Sequence, residues 1–191
     1  MCIRDSSKPE IRLLDAGAGT GILSAAVVDK LVESDYEGRI HLTCYETDEN
    51  VLPLLEANLE SLHSEYGVEY SIVRDNYITS QNFEGDTLFS VQDNVYDYIV
   101  GNPPYLKIPK DADEARVMPS ICYGAPNLYF LFWAMGIHNL KEGHELVYIV
   151  PRSWTSGAYF KKFREYFFKN CVITDMHLSR GLGDVYKRQG F

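Results

Sequence analysis

Apolar and polar positions along this chain fall into blocks of two alternating periods. Ile11–Gly17 (IRLLDAG) is a short apolar run closing on an acid and a glycine, and it reads as a buried strand. Residues 22–33 (ILSAAVVDKLVE) follow with helical spacing, Leu23, Val27 and Leu31 marking the apolar face. RIHLTCYETD (39–48) reads as a second strand, and 49–66 (ENVLPLLEANLESLHSEY) as an amphipathic helix with Pro53 in its first turn, where a missing N–H costs little. VEYSIVRDN (68–76) is a third strand. A polar stretch, Thr79 to Asn94, reads as loop. YDYIVGN (96–102) is a fourth strand, and NLYFLFWAMGIHNLK opens a strongly apolar helix expected to end near Gly143. HELVYIVP (144–151), GAYFKKFREYFFKN (157–170) and CVITDMHL (171–178) predict a strand, a helix and a sixth strand.

Strands alternating with helices of this length predict a doubly wound α/β sheet of parallel strands. Ligands of such sheets bind at the carboxyl ends of the strands. The residues past those ends are therefore the ones to weigh: Asp15-Ala-Gly17-Ala-Gly19-Thr-Gly21, Glu46 and Asp48, Asp75-Asn76, Asn102-Pro103-Pro104-Tyr105, and Pro151-Arg152-Ser153.

Composition fits one ordinary domain of 191 residues, 46% hydrophobic and 24% charged. No apolar run approaches the ~20 residues that span a bilayer. The start, MCIRDSSKPE, lacks the apolar centre of a signal peptide. Cys2, Cys44, Cys122 and Cys171 are scattered with no CxxC pair, so a reduced, cytoplasmic setting without a metal site is expected. The net charge of −9 argues against a nucleic-acid partner until its distribution is read. Residues 1–100 carry 6 basic and 19 acidic side chains; residues 101–191 carry 12 and 8. Only the second half suits a polyanion, unless its charge is simply solvated surface.

The rim residues carry candidate chemistry in order. DAGAGTG has the spacing G-x-G-x-G, not the G-x-G-x-x-G of dinucleotide sites. Its glycines let backbone approach a ligand, and the helix behind it offers free N–H groups. Asp15 would repel a pyrophosphate and suits an ammonium group. Glu46 can accept both hydroxyls of a ribose, and Asp75 an exocyclic amine of adenine. The ordered set fits S-adenosylmethionine; taken singly, Glu46 and Asp75 could be solvated loop acids. In Asn102-Pro103-Pro104-Tyr105, the Asn102 side-chain oxygen and the rigidly held Pro103 carbonyl are two acceptors, and Tyr105 offers a stacking face. Together they make a receptor for a planar NH2 group, whose lone pair is then free to attack a methyl group on a sulfonium. The plain alternative is a Pro-Pro turn with a surface tyrosine.

The succession DAGAGTG, YETD, RDN, GNPPY, NLYFLF, VYIVPRSWTSGAYFKKFREYFF resembles the gamma class of N6-adenine DNA methyltransferases of restriction–modification systems, over about residues 10 to 178. The likeness is strongest to the methylase domain of enzymes that fuse modification with restriction. It implies a Rossmann-like class I S-adenosylmethionine-dependent methyltransferase fold. In it Asp15, Gly17 and Gly19 contact the methionine part of the cofactor, Glu46 the ribose, and Asp75 with the Asn76 backbone the adenine. Asn102 and Pro103 grip the target amine, Tyr105 stacks on the flipped base, and Pro104 completes the catalytic set. Tyr129 and Phe130 either wall the cofactor pocket or form helix core. Lys107 and Arg152 are the expected DNA contacts; Lys161, Lys162 and Arg164 are a phosphate track or a solvated face. The partner implied is double-stranded DNA, with a fused or separate endonuclease and no membrane.

The family also carries a cofactor motif upstream and a recognition region downstream that are not found in this sequence. MCIRDS and GLGDVYKRQ do not fit its pattern and resemble translated adapter sequence. The expectation is therefore a fragment: residues 1–9 a non-native or disordered start, 10–178 the catalytic domain with its sheet incomplete at the C-terminus, 179–191 a non-native or disordered tail. An unfinished sheet predicts exposed apolar surface and self-association. Two other readings remain: the same NPPY grip on a release-factor glutamine or an RNA base, and a catalytically silent scaffold subunit.

Overall fold

A computed structural model of the chain describes residues 9–83 and 95–177. Five strands form one parallel sheet in the order β3-β2-β1-β4-β5: β1 (Glu10–Ala16), β2 (Arg39–Tyr45), β3 (Glu69–Val73), β4 (Tyr96–Gly101) and β5 (Leu140–Tyr148). Helices α1 (Ile22–Glu33) and α2 (Leu52–Tyr66) cover one face. On the other lie α3 (Asp113–Val117), α4 (Leu128–Asn139) and α5 (Lys161–Asn170). The sheet is buried on both sides at its centre, and neighbouring strand residues divide between the two cores. Leu13 and Val100 face α1 and α2, whereas Leu14 and Ile99 face α4. That is why these strands read as continuous apolar runs. Each such side chain contributes roughly 1.5–3 kcal/mol by leaving water.

Helix α4 is apolar all round because it is buried all round, every residue from Tyr129 to Ile137 included. Gly136 sits where a Cβ would lie 2.8 Å from Leu146 Cδ1 and 3.0 Å from the Tyr148 hydroxyl, so a glycine lets helix and strand close up. The helix ends at Asn139, not near Gly143. Asn139 is buried; its amide donates to Tyr77 Oη (3.0 Å) and Gln81 Oε1 (2.6 Å), and its carbonyl accepts Val95 N–H (3.0 Å). These polar ties stop the helix, and Leu140 is already extended and paired with Tyr96. The register then slips, Tyr98 pairing with Glu145.

The expected sixth strand is not formed over Cys171–His177. The backbone leaves α5 extended at Cys171, but these residues pair with no described strand, and Val172 stays 83% exposed. β-propensity supplies a conformation and not a partner. Three short elements went unread in the sequence, α3 and the 3-10 turns Pro119–Ile121 and Arg152–Thr155, all too brief to show a period. The two ends and most of the polar loop expected at Thr79–Asn94 lie outside the described residues. Cys44 is buried and Cys122 and Cys171 are half-buried, and none of the three is in a disulfide. Among the described residues no helix is long and apolar enough to cross a membrane.

Candidate active site

Strand register gathers the candidate residues on one rim. Asp15 pairs with Val100 and Ala16 with Tyr45, so the loops that begin at Gly17, Asn102 and Glu46 leave three neighbouring strands at the same end. Tyr45 pairs with Val73, which brings Asp75 to the same edge, and Gly101 pairs with Tyr148, which brings Ile149 there.

Gly17, Gly19 and Gly21 have φ of 90°, 55° and 82°, a region side chains disfavour, so the loop after β1 needs glycines. The loop is tied down from below: Gly17 and Ala18 N–H donate to the Tyr45 carbonyl (3.0 and 2.9 Å), and Asn58 Nδ2 of α2 donates to the Thr20 carbonyl (2.8 Å). Helix α1 then starts at Ile22 with no side-chain cap, leaving N–H groups at its N-terminus for a ligand. Asp15 is fully buried beneath this loop. Its Oδ2 accepts the Ser24 hydroxyl (2.7 Å), and its Oδ1 has no partner. Burial, against the pull of the Ser24 hydrogen bonds, pushes the carboxyl up to about 6.

Glu46 is not a loose loop acid. Its Oε2 accepts Gly19 N–H (2.8 Å), and its Oε1 accepts Thr47 and Asp48 N–H (2.7 and 2.8 Å). It thereby joins the glycine loop to the end of β2, and a carboxylate still has capacity for further donors. Asp75 is exposed and accepts Asn76 N–H through Oδ1 (2.7 Å). The Asn76 side chain builds the next turn, accepting Ile78 and Thr79 N–H and donating to Glu114 Oε1 (2.9 Å). The Asn76 backbone donor is thus engaged within its own loop.

In the turn after β4, Asn102 and Pro104 are exposed, Pro103 is buried and Tyr105 is half-buried. The turn is held by a short antiparallel bridge to the entry of α4, with Leu128 N–H on the Leu106 carbonyl and Ile108 N–H on the Pro126 carbonyl, both 2.8 Å. The Tyr105 hydroxyl lies 2.7 Å from Asn102 Oδ1 and 2.9 Å from the Ile149 carbonyl. One hydroxyl proton serves these two acceptors in turn. The Tyr105 ring meets Tyr129 edge-on at 6.1 Å, and the Tyr129 hydroxyl is 3.3 Å from Ser153 Oγ. Tyr129 and Phe130 are both 1% exposed, helix core, although Tyr129 touches the site tyrosine from behind. Lys107 is exposed with Nζ 5.8 Å above the Tyr159 ring, and Arg152 is exposed with no side-chain partner among the described residues. Phe160 and Phe163 are core. Arg164 spends its guanidinium on three main-chain carbonyls, Trp154 (3.0 Å), Ser156 (3.2 Å) and Gly157 (2.8 Å). Sequence reasoning missed Ser24, the buried hydroxyl beside Asp15, and this use of Arg164. The first could be sought in the first turn of the helix after the glycine loop; nothing in the sequence signals the second.

The family described as Eco57I restriction-modification methylase matches residues 33–182. The type II methyltransferase M.PstI of Providencia stuartii is 32% identical over 183 residues, 93% of this chain and 36% of that protein. M.BsuBI of Bacillus subtilis, another type II methyltransferase, is 28% identical over 179 residues, 92% of this chain and 36% of that protein. The chain thus spans about a third of the length of these relatives. Among solved structures, one described as a class I S-adenosylmethionine-dependent methyltransferase from Listeria monocytogenes superposes with a TM-score of 0.64 at 18% identity, covering 86% of this chain and 46% of that one. The fold is that of the class I methyltransferases, and by the family match over most of its length the chain belongs to the Eco57I restriction-modification methylase family.

Proposed function

We propose that this chain is the catalytic part of an enzyme that methylates the exocyclic N6 of adenine in DNA, with S-adenosylmethionine as donor. The observation that carries the reading is the strand register, Asp15 opposite Val100, by which the glycine loop and Asn102-Pro103-Pro104-Tyr105 leave the neighbouring strands β1 and β4 at the same end. The residues present fit the cofactor. Asp15 Oδ1 is a buried oxygen without a donor, suited to a cationic ligand; the uncapped start of α1 suits a carboxylate; Glu46 suits a ribose. When bound, this cofactor supplies an electrophilic methyl group on a sulfonium. The chain's own part is to bind and orient. Asn102 Oδ1 and the Pro103 carbonyl accept the two N–H bonds of the target amine, which leaves its lone pair directed out of the plane of the base. The Pro103 carbonyl takes no hydrogen bond from any described residue, and Tyr105 Oη releases Asn102 Oδ1 by keeping its bond to the Ile149 carbonyl. Orientation of this kind contributes roughly 7–11 kcal/mol in ideal cases. The target amine is reached by flipping the base out of the duplex. Lys107, exposed two residues past the turn, and Arg152, exposed in the segment after β5, are assigned to phosphates. Site selection is assigned to the part of the relatives' length that this chain does not span, and restriction to an accompanying endonuclease.

The test is N6-methyladenine in the DNA of a host without adenine methylation, measured by nucleoside mass spectrometry after expression of the full-length protein. Asn102→Ala is expected to abolish the signal while cofactor affinity stays within about tenfold, because that contact acts on the transferred amine. Glu46→Ala is expected to weaken cofactor binding first. Unmethylated DNA alongside a folded, cofactor-binding protein would shift the substrate to RNA or a protein glutamine. Equal loss of cofactor binding in both variants would overturn the assignment of roles.

A further inference from the structure

The segment after β5 runs along the site rim, and three features fix its course. Trp154, at its centre, is buried against Trp133 (4.9 Å between rings) and Phe167 (5.4 Å). Its exit, from the 3-10 turn Arg152–Thr155 through Gly157 at φ 80°, is held by the Arg164 guanidinium on the carbonyls of Trp154, Ser156 and Gly157. Its entry touches the site twice. The Ile149 carbonyl takes the Tyr105 hydroxyl, and Ser153 Oγ meets Tyr129, whose ring meets Tyr105 edge-on. Among the described residues Arg164 is the only charged side chain that clamps this segment. A planar guanidinium reaches three carbonyls at fixed angles; an ammonium on a flexible stem does not.

We propose that Arg164 is a positioning residue: by fixing the 154–157 main chain from α5, it holds the adjoining Ser153 against Tyr129, and through the Tyr129 ring it sets the orientation of Tyr105 and the acceptor of Asn102 that grips the target amine. Ile149 is held separately, by its N–H on the Gly101 carbonyl (3.0 Å). The inference rests on the adenine-methylation reading for its activity measurement but not for its structural one. It removes Arg164 from the phosphate track and leaves Arg152, carried on the same segment, as its consequence. Arg164 places Arg152 at the rim instead of meeting DNA itself.

The experiment compares Arg164→Lys, Arg164→Gln and Ser153→Ala in the full-length protein. It reads single-turnover methylation corrected for folded fraction, cofactor affinity, the salt dependence of DNA binding, and amide hydrogen exchange. Arg164→Lys is expected to slow transfer by roughly tenfold, as misplacement at a reacting centre does. Cofactor affinity should stay within about twofold of wild type, since the glycine loop is untouched. Exchange should rise at residues 152–157 and at Ile108 and Leu128, whose amides hold the site turn, and the salt slope of Arg164→Gln should match wild type. Ser153→Ala, which removes one exposed hydroxyl, should slow transfer by about threefold, the loss of a single modest hydrogen bond. A lysine variant with full activity, together with a salt slope reduced by about one in the glutamine variant, would make Arg164 a phosphate contact and overturn the proposal. A loss of rate that disappears on correction for folded protein would make Arg164 a fold residue only. Should the Arg164 variants fail to fold, a normal rate in Ser153→Ala would overturn the proposal. Should wild type leave DNA unmethylated, exchange decides: unchanged protection at Ile108 and Leu128 in Arg164→Lys defeats the inference whatever the substrate is.

Discussion

Asp15 shows how much chemistry one buried side chain sets. The groups facing it are Ser24 on α1, Cys44 on β2, Tyr148 on β5 and Glu46 beyond β2; none is a cation. Burial raises its carboxyl from 3.8 to about 6 and lifts Cys44 to about 12. The sign of the pH dependence follows. The folded protein holds the Asp15 proton more tightly than the unfolded chain does. Its contribution to stability is therefore full below about pH 4, falls as pH rises through about 6, and is flat above. A change of that size is about 3 kcal/mol. Asp15→Asn removes the titration. Urea unfolding of both proteins from pH 4 to 7.5 is expected to show the difference moving in favour of the variant by about 2–3 kcal/mol. An unchanged difference would mean that Asp15 is solvated or paired. Residue types and places on this rim are legible in the sequence because the strand-end rule puts them there. Their partners are not. Nothing in YETD says that Glu46 takes three backbone amides, and nothing in NPPY says that the tyrosine hydroxyl turns to its own asparagine, because both depend on how neighbouring strand ends meet.

At the scale of elements, strong periodicity is legible and junctions are not. The boundaries of α1 follow the pattern as read, whereas the α4–β5 junction is set by the buried Asn139 and by pairings remote in sequence. The same junction carries a second polar tie. Asp97, on β4 and buried, accepts Arg12 N–H of β1 (2.8 Å) and Lys141 Nζ of β5 (2.7 Å), with His144 Nε2 3.5 Å away. One carboxylate thus joins three strands at the end of the sheet opposite the site, across the slip between β4 and β5. Burial alone would raise its pKa; the Lys141 hydrogen bond, the Arg12 amide and the charges of Lys141 and His144 outweigh burial and hold it below the ordinary range. A lowered carboxyl stabilises above the unfolded value and loses that contribution as pH falls through the folded one. Asp97→Ala strips a buried amide and a lysine of their partner at once, so a loss of about 3 kcal/mol at pH 7 is expected. The loss should shrink towards pH 3. A variant equally destabilised at both pH values would show packing, not charge, to be the cause.

Across the whole molecule, the two edges of the sheet differ. β3 presents half-buried residues beside the Arg74–Glu56 ion pair, a polar edge. β5 packs Leu146 and Tyr148 into the core and turns Val147, 64% exposed, to the opposite face. Ile149, Phe168, Val172 and Met176 add exposed apolar surface. Among the described residues no strand pairs with the outer edge of β5, and such a parallel edge with apolar side chains is a template for another chain. Charge offers a rival route, because residues 1–100 carry 19 acidic against 6 basic groups while residues 101–191 carry 12 basic against 8 acidic, and opposite halves of two copies attract. The two causes respond oppositely to salt. Attraction between exposed charges is screened within about 8 Å at physiological ionic strength, and apolar contact is not weakened. Sedimentation velocity of this chain expressed alone is expected to show concentration-dependent association that survives about 0.5 M salt, well past the ionic strength at which exposed charges are screened. Val147→Lys, a charge on the exposed face of the edge strand, should abolish that association without moving the melting temperature. Association that vanishes with salt and persists in Val147→Lys would assign it to the charged halves, and a monomer at all concentrations would show that the β5 edge is protected within the chain itself.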